Sequence, residues 1–254
     1  MTRLSWTRQQ SLVAFSLYCR LPFGRFHSRN PEIIQYANLI GRTPSALAMK
    51  LSNIASLDPA ITSSGRAGLS GASIADNAMW QEMQYDWAAF SVAIAQAEQV
   101  ITAASSPAAF NEHGNVTTSK IAEVKVRLGQ QFFRNAVLSA YDQRCCISGL
   151  ANPKLLVASH IVPWSADEQN RLNPHNGLAL SALHDKAFDL GLITINEDFR
   201  VVVSNKNISN DDHFFNEAII NFHGKSIRLP DKFSPAAQFL AFHRENIFER
   251  GCTG

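Results

Sequence analysis

Apolar residues recur at helical spacing through much of the first hundred positions of the chain. The pattern predicts a helix from Gln9 to about Arg20, which Thr7 caps and which stops near Pro22. It predicts a longer helix from about Ile74, which carries several aromatic residues and continues into Ala-rich sequence. Residues 58–71 are rich in Ser and Gly, which predicts a flexible loop or the wing of a winged helix. The first part of the chain is therefore expected to be mostly helical.

Two shorter helices are predicted between Pro31 and Ile54, joined by a tight turn at Gly41. Thr43 is placed as the N-cap of the second helix and Pro44 as its first residue. A helix, a glycine turn and a capped helix form the outline of a helix-turn-helix, although any bundle of three helices could produce it. In that motif the exposed N-terminal part of the second helix reaches base edges in the major groove of DNA. The candidate DNA-binding residues on and before this helix are Arg42, Ser45, Lys50 and Asn53.

The hydrophobic pattern changes between positions 155 and 195, where short apolar runs alternate with polar segments. One run, at 155–158, leads to His160, and a second run opens after Asn176. Apolar residues at helical spacing follow from Leu183 to Leu190, and Gly191 sits where a left-handed C-terminal residue belongs. The predicted order is strand, loop, strand and helix.

The remaining elements complete a mixed architecture. Residues 123–128 are expected to be extended and to precede a helix, and residues 192–203 are expected to form a hairpin around positions 196–198. Helices are also predicted at 214–222 and 235–248. The fold class is α+β, with a helix-turn-helix or winged-helix-like DNA-binding domain at 1–104, a linker at 105–120 and a second domain at 121–254.

Composition narrows the class of protein. The chain has 254 residues, of which 46% are hydrophobic, so it has room for two modest cores. No apolar run approaches the roughly 20 residues that span a bilayer, and the first residues lack the apolar stretch of a signal peptide. No membrane partner is expected, and the expected location is the cytoplasm.

The formal net charge of +2 conceals an asymmetry along the chain. Residues 1–66 contain eight Lys or Arg against Glu32 and Asp58, which gives +6, and the remaining residues contain fifteen against nineteen, which gives −4. A basic region attracts a polyphosphate backbone without reading its sequence. Arg25 and Arg29, in a loop before Pro31, are candidates for phosphate contact, with ordinary solvated charges as the equal alternative.

The segments SHIVPW, HNGL and HDKAFD carry a family resemblance. Together with their predicted order they resemble the HNH endonucleases, whose ββα-metal finger cuts nucleic-acid backbones. The chain is most similar to the HNH branch grouped with restriction endonucleases, since the likeness extends to residues 130–134 and 242–244. The GRTPSALAMKLSN segment also resembles the front domain commonly fused to that branch.

The resemblance implies a set of catalytic and metal-binding residues. His160 corresponds to the general base, and histidine suits that task because its ordinary pKa lies near 6.5. Asn176 corresponds to the residue that holds the loop and orients the base. Ser159 stands where many family members carry an Asp or His ligand, so this sequence departs from the common pattern.

Two sets of helix ligands remain open. In one, His184 is the family's final histidine; in the other, Asp185, nine positions after Asn176, acts with Asp189 one helical turn later. The carboxylate pair is favoured because Mg²⁺, Mn²⁺ or another hard divalent cation takes oxygen ligands and keeps several waters. Structural zinc is not expected, because Cys19, Cys145, Cys146 and Cys252 form no spaced pairs. Cys145 and Cys146 are expected to be buried.

The predicted function is metal-dependent hydrolysis of phosphodiester bonds in double-stranded DNA, in restriction or another defence against foreign DNA. One finger cuts one strand, so cleavage of both strands requires a homodimer or two sequential nicks. The alternative is a degenerate HNH protein, without a full ligand set, that acts as a DNA-binding regulator. RNA as the substrate also stays open, because the finger grips the backbone.

Overall fold

The computed structural model describes residues 5–65, 71–105, 118–206 and 212–248. The chain divides into two compact units, Met1–Ala136 and Val137–Gly254, which we call the front unit and the rear unit. The division lies within a helix at Thr118–Ala140. Most of the linker predicted at 105–120 lies outside the described residues.

The regular elements described in the front unit are helices. They are α1 (Arg8–Arg20), α2 (Pro31–Leu39), α3 (Pro44–Ala55), α4 (Pro59–Ser63), α5 (Ile74–Tyr85), α6 (Trp87–Ser105) and most of α7 (Thr118–Ala140), with a 3₁₀ turn at Phe23–Arg25. The centre of the unit is α1, where Val13, Phe15 and Leu17 are fully buried, and it packs against α3 and α6. Across the described residues, no helix combines the length and the apolar character that crossing a bilayer requires.

The predictions for the first three helices are confirmed, including their ends. Thr7 caps α1 through a capping box with Gln10, and Thr43 Oγ1 accepts a hydrogen bond from the Ala46 amide at 3.2 Å. Gly41 has a φ of +65°, a left-handed conformation that suits glycine at the tight turn between α2 and α3.

Three expectations for the front half were wrong. Part of the segment predicted as a loop forms α4, which Asp58 caps through the Ala60 amide at 2.9 Å. The long helix predicted from Ile74 is interrupted at Asp86, whose extended backbone separates α5 from α6. Residues 123–128 are helical, because they belong to α7. Residues 66–70, where a wing was expected, lie outside the described residues.

The rear unit contains the predicted strand, loop, strand and helix. Strands β1 (Leu156–His160) and β2 (Gly177–Ser181) pair antiparallel, with His160 opposite Gly177, and α8 (Ala182–Asp189) follows β2 directly. Gly191 has a φ of +69° just after α8, as predicted. This ββα arrangement places the end of β1 and the face of α8 on neighbouring elements.

The other rear elements pack around this arrangement. Strands β3 (Ile193–Ile195) and β4 (Val201–Val203) form the predicted hairpin. They are followed by α9 (His213–Ala218) and α10 (Ala237–Asn246), with 3₁₀ turns at Pro153–Leu155, Pro174–Asn176 and Ile220–Phe222. The mixture of helices with small sheets agrees with the predicted α+β class. Cys145 and Cys146 are both buried, as expected.

Candidate active site

Asn176 ties the two ends of the loop between β1 and β2 together. Its side-chain oxygen accepts the Val162 amide hydrogen at 2.8 Å, and its amide nitrogen donates to the carbonyl oxygens of Val162 at 3.2 Å and Asn170 at 3.3 Å. The residue is 1% exposed. Its amide therefore acts as both donor and acceptor at the position where β1 leaves the hairpin.

His160 ends β1 and is held by the loop that follows it. Its Nε2 lies 2.8 Å from the carbonyl oxygen of Arg171, and its ring meets the edge of Trp164 at a centroid distance of 5.6 Å. Because a carbonyl oxygen only accepts, Nε2 carries the proton of the neutral ring, and the lone pair of the neutral ring is on Nδ1.

The surroundings of His160 favour its neutral form. Burial lowers its pKa below 6.5, and the Arg171 carbonyl and the negative charge of Asp185 oppose that shift in part. The neutral imidazole is therefore the dominant form at physiological pH. Asp185 lies on α8, which packs against β1, the strand that ends at His160.

Asp185 and Asp189 lie one helical turn apart on α8, the first half-buried and the second exposed. Partial desolvation by neighbouring protein groups raises the pKa of Asp189 despite its exposure, and the charge of Asp185 raises it further, while Lys186 opposes the shift. The two carboxylates therefore repel each other across the helix face. A bound cation would relieve that repulsion.

The donor set can be compared with the needs of a metal ion. Across the described residues, no three His, Cys, Asp or Glu side chains are grouped so that they could hold a metal. Two carboxylates alone fit a hard cation such as Mg²⁺, which commonly binds one or two carboxylates and retains several waters. Asp185 and Asp189 are thus the residues that would hold such an ion.

Ser159 faces away from these groups. It is 2% exposed, and its hydroxyl has no hydrogen-bond partner among the described residues. Successive residues of a strand point to opposite faces, so the side chain next to His160 turns into the interior of the unit. The position that often supplies a ligand in HNH enzymes is therefore occupied here by a buried, neutral side chain.

His184 has the environment of a structural residue. It is 3% exposed, its Nε2 donates to the carbonyl oxygen of Ala218 at 3.0 Å, and its Nδ1 accepts from the Ser181 hydroxyl at 2.8 Å. The Cys145 sulfur lies 3.7 Å from the same Nδ1. Since both ring nitrogens are engaged within the protein, this arrangement leaves neither for a metal ion.

His243, which lies in the segment 242–244 that carries part of the family resemblance, packs inside the rear unit. The Thr194 hydroxyl donates to its Nδ1 at 2.8 Å, and its Nε2 donates to the Phe188 carbonyl at 3.0 Å. Its ring stacks on that of Phe188 at 3.6 Å. Burial lowers the pKa of His243 to about 4, with the Phe188 carbonyl opposing the shift and Arg244 adding to it.

The polar loop residues around His160 were not among the predicted site residues. Asn170 Nδ2 donates to Asp167 Oδ2 at 2.7 Å, and Asn173 Nδ2 donates to Asn170 Oδ1 at 2.9 Å. We call Asp167, Asn170 and Asn173 the loop ladder. One signal could have found it, because these residues and Asn176 recur at every third position of a segment without hydrophobic periodicity.

In the front unit, the candidate DNA-binding residues of α3 lie along a recess of about 1030 Å³. Ser45 is exposed and Asn53 half-buried, and both line the recess with Arg42, whose guanidinium donates to Gln10 Oε1 at 2.8 Å and stacks over Trp6. These residues share one surface. Arg25 and Arg29 are exposed on the loop before α2.

Lys50 was expected in the exposed row of α3, and this expectation was wrong. Its side chain is 5% exposed, forms an ion pair with Asp76 and lies 4.9 Å from the centre of the Trp6 ring. Acidic residues beyond position 66 also pair with Arg8 and Arg20, through Glu82 and Glu98. Counted by unit, the front carries twelve Lys or Arg against eight Asp or Glu, so its excess is +4 rather than +6.

Comparison with known proteins agrees with the rear-unit geometry. Residues 145–196 match the family model described as HNH endonuclease, and this segment contains β1, β2, α8 and the side chains of His160, Asn176, Asp185 and Asp189. The match supports the assignment of this segment to the HNH family and indicates a nuclease. A search of curated proteins finds no significant match to the chain.

Proposed function

We propose that this protein is a metal-dependent DNA endonuclease in which His160 is the general base. The observation that carries the proposal is the placement of a neutral histidine, with its proton fixed on Nε2, at the end of a strand that packs against the helix carrying Asp185 and Asp189. Nδ1 of His160 accepts a proton from water as that water attacks the phosphorus. Asn176 keeps the loop closed so that the imidazole holds its direction.

Asp185 and Asp189 are the proposed ligands of Mg²⁺ or Mn²⁺. When bound, the cation supplies positive charge that stabilises the phosphate and the leaving oxygen. His184 has no part in this proposal, because Ala218 and Ser181 already engage its ring. Because the Ser159 side chain is buried, the proposed protein ligands of the cation all lie on α8.

The front unit is proposed to hold double-stranded DNA through Arg25, Arg29 and the rim of the α3 recess. Arg42, Ser45 and Asn53 supply donors and acceptors on one surface, and the +4 excess of the unit favours a polyanion. Lys50 contributes to the stability of that surface rather than to contact. The proposed role is restriction or another defence against foreign DNA in the cytoplasm, with a homodimer or two sequential nicks for cleavage of both strands.

Plasmid nicking tests the catalytic assignment. The intact protein should nick supercoiled DNA with Mg²⁺ or Mn²⁺ and not with EDTA, and His160→Ala should reduce the rate by roughly 10²- to 10⁴-fold. His213→Ala, which changes an exposed histidine of the same unit, should leave the rate unchanged. Equal nicking by wild type and His160→Ala would exclude His160 as the base, and no nicking by either would favour a degenerate DNA-binding protein.

Salt-dependent binding tests the front unit. The full chain carrying His160→Ala should bind duplex DNA with an affinity that falls steeply with salt concentration. Replacing Arg25 and Arg29 together with Ala should make the salt slope shallower by about 2, since each lost phosphate contact removes roughly one from it. Arg8→Ala is the matched control, because Glu82 already pairs with Arg8. An unchanged slope in the double variant would remove the two arginines from the interface.

A further inference from the structure

The loop between β1 and β2 has a directional network of side-chain hydrogen bonds. Its acceptor end is Asp167, whose Oδ1 also accepts the amide hydrogens of Gln169 and Asn170, each at 3.1 Å. At its other end, Asn173 Oδ1 accepts the His175 amide hydrogen at 3.0 Å. Asp167 and Asn173 thus each bind a neighbouring side chain and the main chain, and the Asn170 side chain bonds both of them. These bonds fix the direction of both amide groups.

The loop ladder flanks Arg171 in the sequence, and the carbonyl oxygen of Arg171 is the group that holds His160. Arg171, whose carbonyl oxygen accepts from His160 Nε2, lies between the ladder residues Asn170 and Asn173. The neighbouring carbonyl of Asn170 accepts from Asn176 Nδ2 at 3.3 Å. The main chain at 170 and 171 is thus held from two sides, by the loop ladder and by Asn176.

The side chain of Arg171 closes the same loop from its other side. Its Nε donates to the Trp164 carbonyl at 2.7 Å, and its guanidinium lies over the Trp164 ring at 5.1 Å. The Trp164 ring in turn meets the His160 ring edge-on. The imidazole therefore contacts both a fixed carbonyl and a fixed aromatic ring.

We propose that the loop ladder is a positioning device for the general base. It holds the Arg171 carbonyl where only the Nε2–H tautomer of His160 can donate to it, and the ring then presents Nδ1 to the attacking water. Asp167, Asn170 and Asn173 act through the loop and do not touch the substrate. The kinetic consequence rests on the proposed nuclease function, whereas the tautomer of the ring does not.

An exchange of two residues tests this proposal without changing composition or charge. Asp167→Asn alone sets two amide groups against each other, and Asn170→Asp alone sets two carboxylates against each other. In the double variant, the amide at 167 donates to the carboxylate at 170, which still accepts from Asn173. Every hydrogen bond of the loop ladder is then restored with the charges exchanged.

Nicking kinetics and the state of the His160 ring are the two readouts. Each single variant should lower kcat by about ten- to a hundredfold with KM unchanged, as expected when a reacting group is misplaced by a fraction of an ångström to one ångström. Long-range ¹H–¹⁵N spectra should show His160 as the Nε2–H tautomer in wild type and as a mixture in the single variants. The exchanged double variant should recover both properties.

The controls separate positioning from general damage to the fold. Asn196→Asp makes the same chemical change in the hairpin of β3 and β4, where the side-chain oxygen is an acceptor, and it should alter neither readout. Asn173→Ala removes one hydrogen bond of the loop ladder without placing like groups together, and it should mix the tautomers if the single exchanges fail to fold. Single variants that keep both the wild-type tautomer and kcat would overturn the proposal, as would a folded double variant that recovers neither. Absence of nicking in wild type, together with a tautomer that responds to the loop ladder, would overturn the nuclease function and leave the positioning role standing.

Discussion

The ammonium group of Lys50 and the carboxylate of Asp76 form an ion pair whose side chains are only 5% and 2% exposed. The pair joins α3 to the first turn of α5, beneath the ring of Trp6. A charge at this depth depends on its partner, since removing one member leaves the other buried and uncompensated. The Lys50–Asp76 ion pair is therefore expected to stabilise the front unit rather than to contact a ligand.

Lys50→Met is expected to lower the free energy of unfolding of the front unit by about 3–5 kcal/mol. The double variant Lys50→Met with Asp76→Asn should recover part of that loss, because Asn keeps an oxygen for the capping box with Ser73 and carries no charge. Urea denaturation followed by tryptophan fluorescence measures both. Arg25→Met, an exposed change in the same unit, is the control; a Lys50→Met protein as stable as this control would contradict the structural role.

His184 and Asp185 are neighbours in sequence and should behave differently when replaced. His184→Gln removes hydrogen bonds to Ala218 and Ser181, so it should cost about 1–3 kcal/mol of stability and leave the metal requirement of nicking unchanged. Asp185→Asn should keep the stability within about 0.5 kcal/mol and raise the Mg²⁺ concentration needed for half-maximal nicking. Thermal unfolding and a Mg²⁺ titration distinguish the two. A shift of the titration by His184→Gln instead would restore the histidine as a ligand.

His243 makes the stability of the rear unit dependent on pH. Its folded pKa of about 4 lies below the ordinary value of 6.5, so the unfolded chain binds more protons between these two values. Stability is therefore lost as pH falls from about 6.5 to 4, by about 3 kcal/mol, and is unaffected by this group above that window. The lowered pKa of His160 acts in the same direction.

The melting temperature measured between pH 4 and 7 tests this dependence. His243→Gln should be less stable than wild type at pH 7 and should lose less stability on acidification. His213→Gln, which changes an exposed histidine, should follow wild type. Equal slopes for wild type and His243→Gln would show that other groups set the acid sensitivity.

Ser159→Ala is expected to raise stability, because it removes a buried hydroxyl that lacks a partner among the described residues. The expected gain is about 1 kcal/mol, with nicking unchanged. Ser181→Ala provides the opposite case, since the Ser181 hydroxyl bonds His184 and its loss should destabilise the rear unit. Loss of nicking in a folded Ser159→Ala protein would show that this hydroxyl belongs to the site.

Local patterns were enough to predict much of the fold. Thr7, Thr43 and Pro44 fixed helix starts because capping and proline geometry depend on a few adjacent residues. The spacing of apolar residues likewise predicted the strand that ends at His160 and the helix that follows Ser181. The break at Asp86 was missed because Met83 before it and Trp87 and Phe90 after it continue one apolar pattern across it.

The sequence by itself determined the order of the ββα elements and the residues from which a nuclease site could be built, since both depend on spacing along the chain. Only the tertiary structure decided which of those residues face one another. It turned His184 inward to Ala218, left Asp185 near His160, and buried Lys50 against Asp76. The reason is physical: a helical residue and its neighbour point about 100° apart, so contacts with distant segments, which spacing does not record, settle which side chain reaches the site.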